Sequence, residues 1–288
     1  MKIALLNDYE KYAGAEVSIK QRMKAAPKSV KVDFKLPGDT IEFEKYSAFI
    51  LENITKFKPA VLHNIVDDRP YVKVEHDFNY CTFRNQIHCK TCDVPCPVQL
   101  NPLIRSIYEN AKLIIAASPA HMMFQQQQLA GWDLQYTHGL PYTYPKGTPK
   151  IPKVERIPKT IAFLGTLSAY KGLYEVINLA SRRPEYHFDI AGRVGYVKGK
   201  LPPNVSYVGA VEDKWKYLAE HEYFIHIPRV IDPCPGTVIE AILAGCKLIV
   251  NNNVGTLSYP FKSKLAWIEA LDKAGTTFWH NTLKALKE

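Results

Sequence analysis

The chain has 288 residues, 47% of them hydrophobic and 23% charged. That balance excludes a disordered or collagen-like chain, and no apolar run approaches the roughly 20 residues that a membrane-spanning helix needs. Lysine plus arginine (37) exceed aspartate plus glutamate (28) by nine. The surplus favours anionic partners (nucleotides, phosphorylated substrates, acidic lipid surfaces or nucleic acid) without choosing among them.

The first ten residues, MKIALLNDYE, are too short and too soon charged for a secretion signal. They read as a buried first strand, and a cytoplasmic protein is expected. GAEVSIKQRMKAA then has helical spacing, with Val17, Ile19 and Met23 among charged residues, and VKVDFKL alternates as a strand does. TIEFEKYSAFILENITKF is expected to be helical, and PAVLHNI and PYVKVEHDF to be strands. NPLIRSIYENA reads as a helix, KLIIAAS as a strand, and PAHMMFQQQQLAG as a helix opened by proline and closed by glycine. DLQYTHG closes the set.

Residues 141–159 hold five prolines and five basic residues and lose all periodicity, which marks a linker. Beyond it the alternation restarts. TIAFLG, YHFDIAG, NVSYVG, YFIHIP and KLIVNN read as strands; KGLYEVINLASRR, DKWKYLAEH and residues 236–244 read as helices. The last stretch, from Ser263, is an amphipathic helix. Regular alternation of this kind implies parallel sheets covered by helices. Two such runs imply an α/β protein of two Rossmann-like doubly wound domains facing across a cleft. The expected boundaries are 1–148, with helix 262–288 packing back on it, and 149–261.

Such sheets place ligands at the carboxyl ends of their strands, beside helix amino termini whose amides and dipole suit phosphate. Four loops qualify. NDYEKYAGAE carries Gly14, where backbone can approach a ligand or simply turn. GTLSAYKG ends a strand at Gly165 and brings Lys171, either a diphosphate ligand or a solvated surface lysine. DPCPGTVIEAILAG carries Asp232, then Gly236 and Thr237 at a helix start, with Glu240 one turn in. Amides there suit phosphate, and carboxylates suit sugar hydroxyls. EHDF carries His76, a candidate acid–base group or a structural histidine.

In sequence order these loops resemble those of the retaining glycosyltransferases of family 4, from Met1 to about Tyr259. AGAE at 13–16, HD at 76–77, the apolar strand ending at Ser118, GTLSAYKG and the acid pair with AILAG all match. The resemblance implies the GT-B fold, a nucleotide-sugar donor and transfer to an acceptor hydroxyl with retention. It implies roles for Asp232 at the donor sugar, Glu240 at the ribose, Lys171 at the diphosphate, Gly14 in the first loop and His76 near the reacting centre. No catalytic divalent cation is expected. The sequence departs from the pattern in having Asp232 where glutamate is usual and Thr166 where arginine is usual; Arg193, at another strand end, offers a replacement cation.

Four cysteines (Cys81, Cys89, Cys92 and Cys96) are spaced as C-x7-C-x2-C-x3-C. Four thiolates close a tetrahedral structural zinc site, with His88 as an alternative ligand; two disulfides or reduced thiols are the other readings. The donor base is open, and the acceptor is a glycan, a lipid-linked sugar or modified DNA. Peripheral contact with anionic surfaces is compatible with the charge. Two other functions stay in view: a sugar-nucleotide epimerase of the same plan, and a basic zinc-containing nucleic-acid-binding protein. The latter is weakened because basic and aromatic residues do not interleave.

Overall fold

The computed structural model describes residues 1–9, 14–81, 101–142, 149–192 and 200–288, with backbone alone at 14 and 15. They divide into two units, Met1–Pro145 with Ala270–Glu288, and Lys146–Glu269. The division falls inside the proline-rich stretch.

In the first unit the order is β1 (Lys2–Leu6), α1 (Gly14–Lys24), β2 (Lys31–Lys35), β3 (Ala48–Leu51), α2 (Pro59–Asp68), β4 (Tyr71–Val74), α3 (Pro102–Glu109), β5 (Leu113–Ala116), α4 (Pro119–Gln128) and β6 (Tyr136–His138). The six strands pair in parallel in the order β2-β1-β3-β4-β5-β6. All four residues of β3 and all four of β4 are buried. Central parallel strands are covered on both faces and so read as continuous runs, not alternating ones. The helices start where sequence chemistry says they should: Asn101 Oδ1 accepts from Leu103 N, and Ser118 Oγ accepts from His121 N, each just ahead of a proline.

The second unit runs β7 (Ile157–Leu164), α5 (Leu173–Ser181), β8 (His187–Ala191), β9 (Val205–Gly209), α6 (Lys214–Glu220), β10 (His221–His226), α7 (Gly236–Ala244), β11 (Lys247–Val250) and α8 (Lys264–Ala285). Its parallel sheet has the order β11-β10-β7-β8-β9, which counted from β7 is the 3-2-1-4-5 order of a doubly wound sheet. Apolar clusters fill both faces, one around Phe163, Val176 and Phe188, the other around Leu218, Phe224 and Val238.

The last helix is divided. From Ala270 onward it belongs to the first unit, where Phe278 and Trp279 join Ile3, Leu5, Ile19, Ile50 and Val72 in one core. Trp279 Nε1–H donates to the carbonyl of Arg22 at 2.8 Å.

Three sequence expectations are corrected. PAVLHNI is not a strand but the body of α2: Leu62, Ile65 and Val66 are buried at helical spacing, and Pro59 sits in the first turn. TIEFEKYSAFILENITKF is not a helix. It contains a short 3-10 turn at Phe43–Lys45 and the central strand β3, whose unbroken apolar run mimics one face of a helix. The linker also ends early, because β7 begins at Ile157. Pro158 is tolerated there because the pairing with β10 is irregular, with Lys159 at φ 58° and its N–H donating to Glu222 Oε2. Among the described residues no helix is long and apolar enough to cross a membrane.

Gly172 stands at the N-cap of α5 with φ 84°, and a Cβ there would lie 2.1 Å from the carbonyl oxygen of Ile227. A left-handed conformation alone costs a non-glycine residue about 1–3 kcal/mol. Gly172→Ala is therefore expected to lower stability by at least that amount in denaturant unfolding, because backbone, not a movable side chain, opposes the new methyl.

Candidate functional site

The two sheets reverse strand order at one point each, between β7 and β10 in the second unit and between β1 and β3 in the first. Chain segments leaving the carboxyl ends of those strands diverge, and the opening between them is where α/β sheets take ligands.

In the second unit Gly165 follows β7, and its N–H donates to Ala191 O at 3.1 Å. The approach of the next strand's end is close: a Cβ on Gly192 would come within 1.7 Å of Gly165 O. Lys171 lies in the turn that leads into α5. Across the reversal, β10 ends at His226, and the following loop returns Asp232 to the same place. Asp232 Oδ2 accepts from Lys171 Nζ at 2.6 Å and lies 2.7 Å from His226 Nε2. Its backbone is also fixed, donating to Asn253 O and accepting from Gly255 N, both at 2.9 Å. Asp232 is 7% exposed. Burial alone would raise its pKa, but the charges and hydrogen bonds of Lys171 and His226 outweigh it and hold the carboxyl well below the usual range. His226 Nδ1 is buried with no hydrogen-bond partner.

Helix α7 starts four residues later at Gly236, after Pro235, and no side chain caps it. Its first amides therefore lack side-chain acceptors. Thr237 is half-buried beside them. Glu240 opens the second turn, too far in to serve as a first-turn dipole partner; Lys214, at the start of α6, donates to its Oε1 at 2.5 Å. Both acids of the paired-acid motif thus already carry a lysine. Two bare carboxylates would repel a phosphate, and these are neutralised. Buried Cys234, whose thiol burial pushes up to about 12, stays protonated beside them.

In the first unit the reversal collects a different set. Glu52 follows β3 and is wholly buried. Arg22 of α1 donates to its Oε1 at 2.6 Å, and His76 Nε2 lies 2.5 Å from its Oε2. Burial would raise the Glu52 carboxyl, but Arg22 and His76 lower it to about 2, so it is ionised. Lys73 on β4 has no exposed surface, yet all three of its ammonium protons are used: on Glu75 Oε1 at 2.5 Å, Glu52 O at 2.7 Å and Val74 O at 2.9 Å. Glu75 in turn accepts from Tyr108 Oη at 2.9 Å. Two cations and two anions balance without solvent, which is the condition for burying them. Nearby, Asp8 after β1 accepts from Thr55 N, Thr55 Oγ1 and Lys56 N, tying the β1 end to the loop after β3.

Lys171 therefore meets Asp232 at one reversal point, ahead of the α7 start with Gly236 and Thr237, while Glu240 pairs with Lys214 of α6, and His76 takes its place at the other reversal. Gly14 is the first residue of α1; the loop before it, residues 10–13, lies outside the described residues, as does Arg193. The zinc expectation falls mostly outside them too: Cys89, Cys92, Cys96 and His88 are not described, and Cys81 is buried. Among the described residues no group of three or more His, Cys, Asp or Glu side chains is placed to hold a metal ion.

Sequence reasoning missed Arg22, Glu52, Lys73, Lys214 and His226. His226 was findable, since it ends a strand as His76 nearly does. Arg22 follows Ile19 by three and shares its buried face. Glu52 is hidden in the sequence because the apolar run of β3 reads as one face of a helix, which conceals the strand end on which it stands.

No family model and no curated protein matches the chain. Solved structures do. HepE of Anabaena in complex with UDP-glucose matches at 13% identity and TM-score 0.63, over 100% of this chain and 97% of that one. Sucrose-phosphate synthase of Thermosynechococcus elongatus matches at 14% and 0.67, over 99% and 96%. WaaG, a glycosyltransferase involved in lipopolysaccharide biosynthesis, matches at 13% and 0.55, over 99% and 94%. At such identities the likeness concerns the fold, and the fold is the GT-B one of two Rossmann-like units.

His121 supports the His76 segment from beneath. Its Nδ1 accepts from Ala117 N at 3.2 Å, and its Nε2–H donates to Asp77 O at 2.9 Å. Burial lowers its pKa from 6.5 to about 4. The unfolded chain therefore takes up a proton first as pH falls, and stability is lost between those two values, by up to about 3 kcal/mol. Denaturant unfolding across that window should show this slope, and His121→Asn should flatten it.

Proposed function

We propose that the chain is a glycosyltransferase that moves a sugar from a nucleotide-sugar donor to an acceptor hydroxyl with retention of configuration, in the manner of family 4. The observation that carries the reading is the cluster at the β7/β10 reversal. A lysine, a buried carboxylate and the uncapped amino terminus of α7 meet where a 3-2-1-4-5 sheet takes a nucleotide. The same fold in HepE holds UDP-glucose, which makes a uridine diphosphate sugar the first donor to try.

In this reading the second unit binds the donor and the first unit the acceptor. The α7 amides and Lys171 receive the diphosphate, and Glu240 accepts from the ribose hydroxyls. Lys171 is held by Asp232 at 2.6 Å before any ligand arrives, so a diphosphate draws on an ammonium already in place. Asp232, which keeps His226, then faces the sugar. The bond between the anomeric carbon and the phosphate oxygen breaks as the acceptor oxygen bonds to that carbon from the same face. The acceptor proton passes to the leaving phosphate oxygen. The work of the protein is to stabilise charge growing on the diphosphate, which preorganised amides and a fixed ammonium do without reorganising. In the first unit His76 is the candidate acceptor-side group.

Calorimetric titration with UDP and UDP-glucose tests the assignment. Lys171→Met and Glu240→Gln should each weaken both ligands about tenfold to a hundredfold, the value of a hydrogen bond to a charged group. Asp232→Asn should leave UDP within a few-fold and reduce transfer. If all three variants bind and turn over as the parent does, the reading fails.

A further inference from the structure

The first unit holds a histidine whose ring is oriented by its surroundings. His76 Nε2 lies 2.5 Å from Glu52 Oε2 and 3.3 Å from an Arg22 nitrogen. Arginine offers only donors and an ionised carboxylate only acceptors. The contact with Arg22 is therefore not a hydrogen bond, and the short contact with Glu52 requires a proton on Nε2. The two donors are instead held side by side by one carboxylate, Arg22 on Oε1 and His76 on Oε2. Each member is fixed from a different element. Lys73 grips the Glu52 carbonyl from β4 at 2.7 Å. Arg22 lies 4.9 Å over the Phe278 ring, its carbonyl accepts from Trp279 Nε1, and one guanidinium nitrogen reaches Pro141 O at 3.5 Å. The His76 side chain is 9% exposed, and no hydrogen bond among the described residues engages its Nδ1, which is not among the fully buried unpaired atoms.

We infer that Glu52 and Arg22 are positioning residues that lock His76 as its Nε2–H tautomer, so that Nδ1 is presented as a hydrogen-bond acceptor to a hydroxyl of the bound sugar or acceptor. The inference rests on the transferase reading for the identity of the ligand, though not for the tautomer. In the neutral ring, a proton held on Nε2 leaves Nδ1 as the acceptor. The second-nitrogen rule for metal-bound histidines has the same logic: whichever group engages one ring nitrogen decides what the other can do.

The arrangement has a sharp consequence for Glu52→Gln. Arg22 still needs an acceptor, so the carbonyl of the new carboxamide turns to it and the NH2 faces His76. Nε2 must then accept, and the ring proton moves to Nδ1. A near-isosteric change should convert Nδ1 from acceptor to donor.

The experiment is a long-range 1H–15N spectrum of the whole chain labelled at histidine, recorded above neutral pH, with His76→Asn identifying the His76 signals. The parent should show His76 protonated on Nε2, Glu52→Gln should show it protonated on Nδ1, and turnover of a UDP-sugar should fall at least tenfold while bare UDP binds as before. Parent protein with His76 protonated on Nδ1, or divided between tautomers, overturns the inference, as does a flipped tautomer with unchanged turnover. Should Glu52→Gln not fold, the parent spectrum still decides the tautomer, and Arg22→Lys, which keeps one donor on Oε1, should preserve it. If the parent binds no sugar nucleotide at all, the transferase reading is lost, and the spectra alone judge the locked ring.

Discussion

Each sheet of this protein buries a carboxylate at the place where its strand order reverses, and much of the surrounding structure follows from neutralising it. An ion pair broken inside a protein costs about 3–5 kcal/mol, because the remaining charge has lost its water. Glu52 is met by Arg22 and His76, and Asp232 by Lys171 and His226. In both cases one partner is a permanent or near-permanent cation and the other an imidazole, each delivered by a separate element. The helix after β1, the end of β4, the turn after β7 and the end of β10 are constrained to arrive where these carboxylates stand. The glycine that opens α5 belongs to this constraint, since only a residue without a side chain lets the turn carrying Lys171 pass so near the strand end that carries His226.

The two units solve the problem to different degrees of closure. In the first, the charges are sealed: Lys73 spends every proton internally and Glu52 has no exposed surface. Only the His76 edge reaches outward. In the second, Lys171 and Lys214 keep 24% and 42% of their side-chain surface exposed, and their charges remain accessible to an incoming anion. A sealed network gives rigidity and sets one ring orientation. A half-open one keeps its lysines within reach of solvent while their carboxylate partners stay buried.

Much of this was readable in the residues. Parallel α/β architecture follows from the alternation of apolar runs with helical spacing, and helix 236–244 was delimited by the glycine at each end. The loop positions of Asp232, Lys171 and His76 follow from the rule that strand ends face the ligand. What failed did so for a common physical reason. A central strand and a buried helix both present short continuous apolar runs, and in AFIL and PAVLHNI periodicity cannot separate them. Misplacing β3 cost more than one element, because Glu52 acquires meaning only as a residue at a strand end. The pairings were also beyond reach: nothing local says that Lys214 will find Glu240 or that Arg22 will find Glu52, since these meetings depend on how helices lie across the sheets. The lysines that cover the paired acids likewise come from separate elements.

The bond between Trp279 and the carbonyl of Arg22 spans 257 positions of the chain. During synthesis the first six strands leave the ribosome long before the helix that completes their core. Phe278 and Trp279 emerge after the whole second unit. Until then one core of the first sheet has only part of its cover, from α1, and the Arg22 guanidinium lacks its aromatic floor. Contacts of such long separation form late and slow the approach to the native state. The first unit to be translated is thus finished after the second, and a nascent chain passes through a stage in which the second unit can be complete while the first still waits for the end of α8.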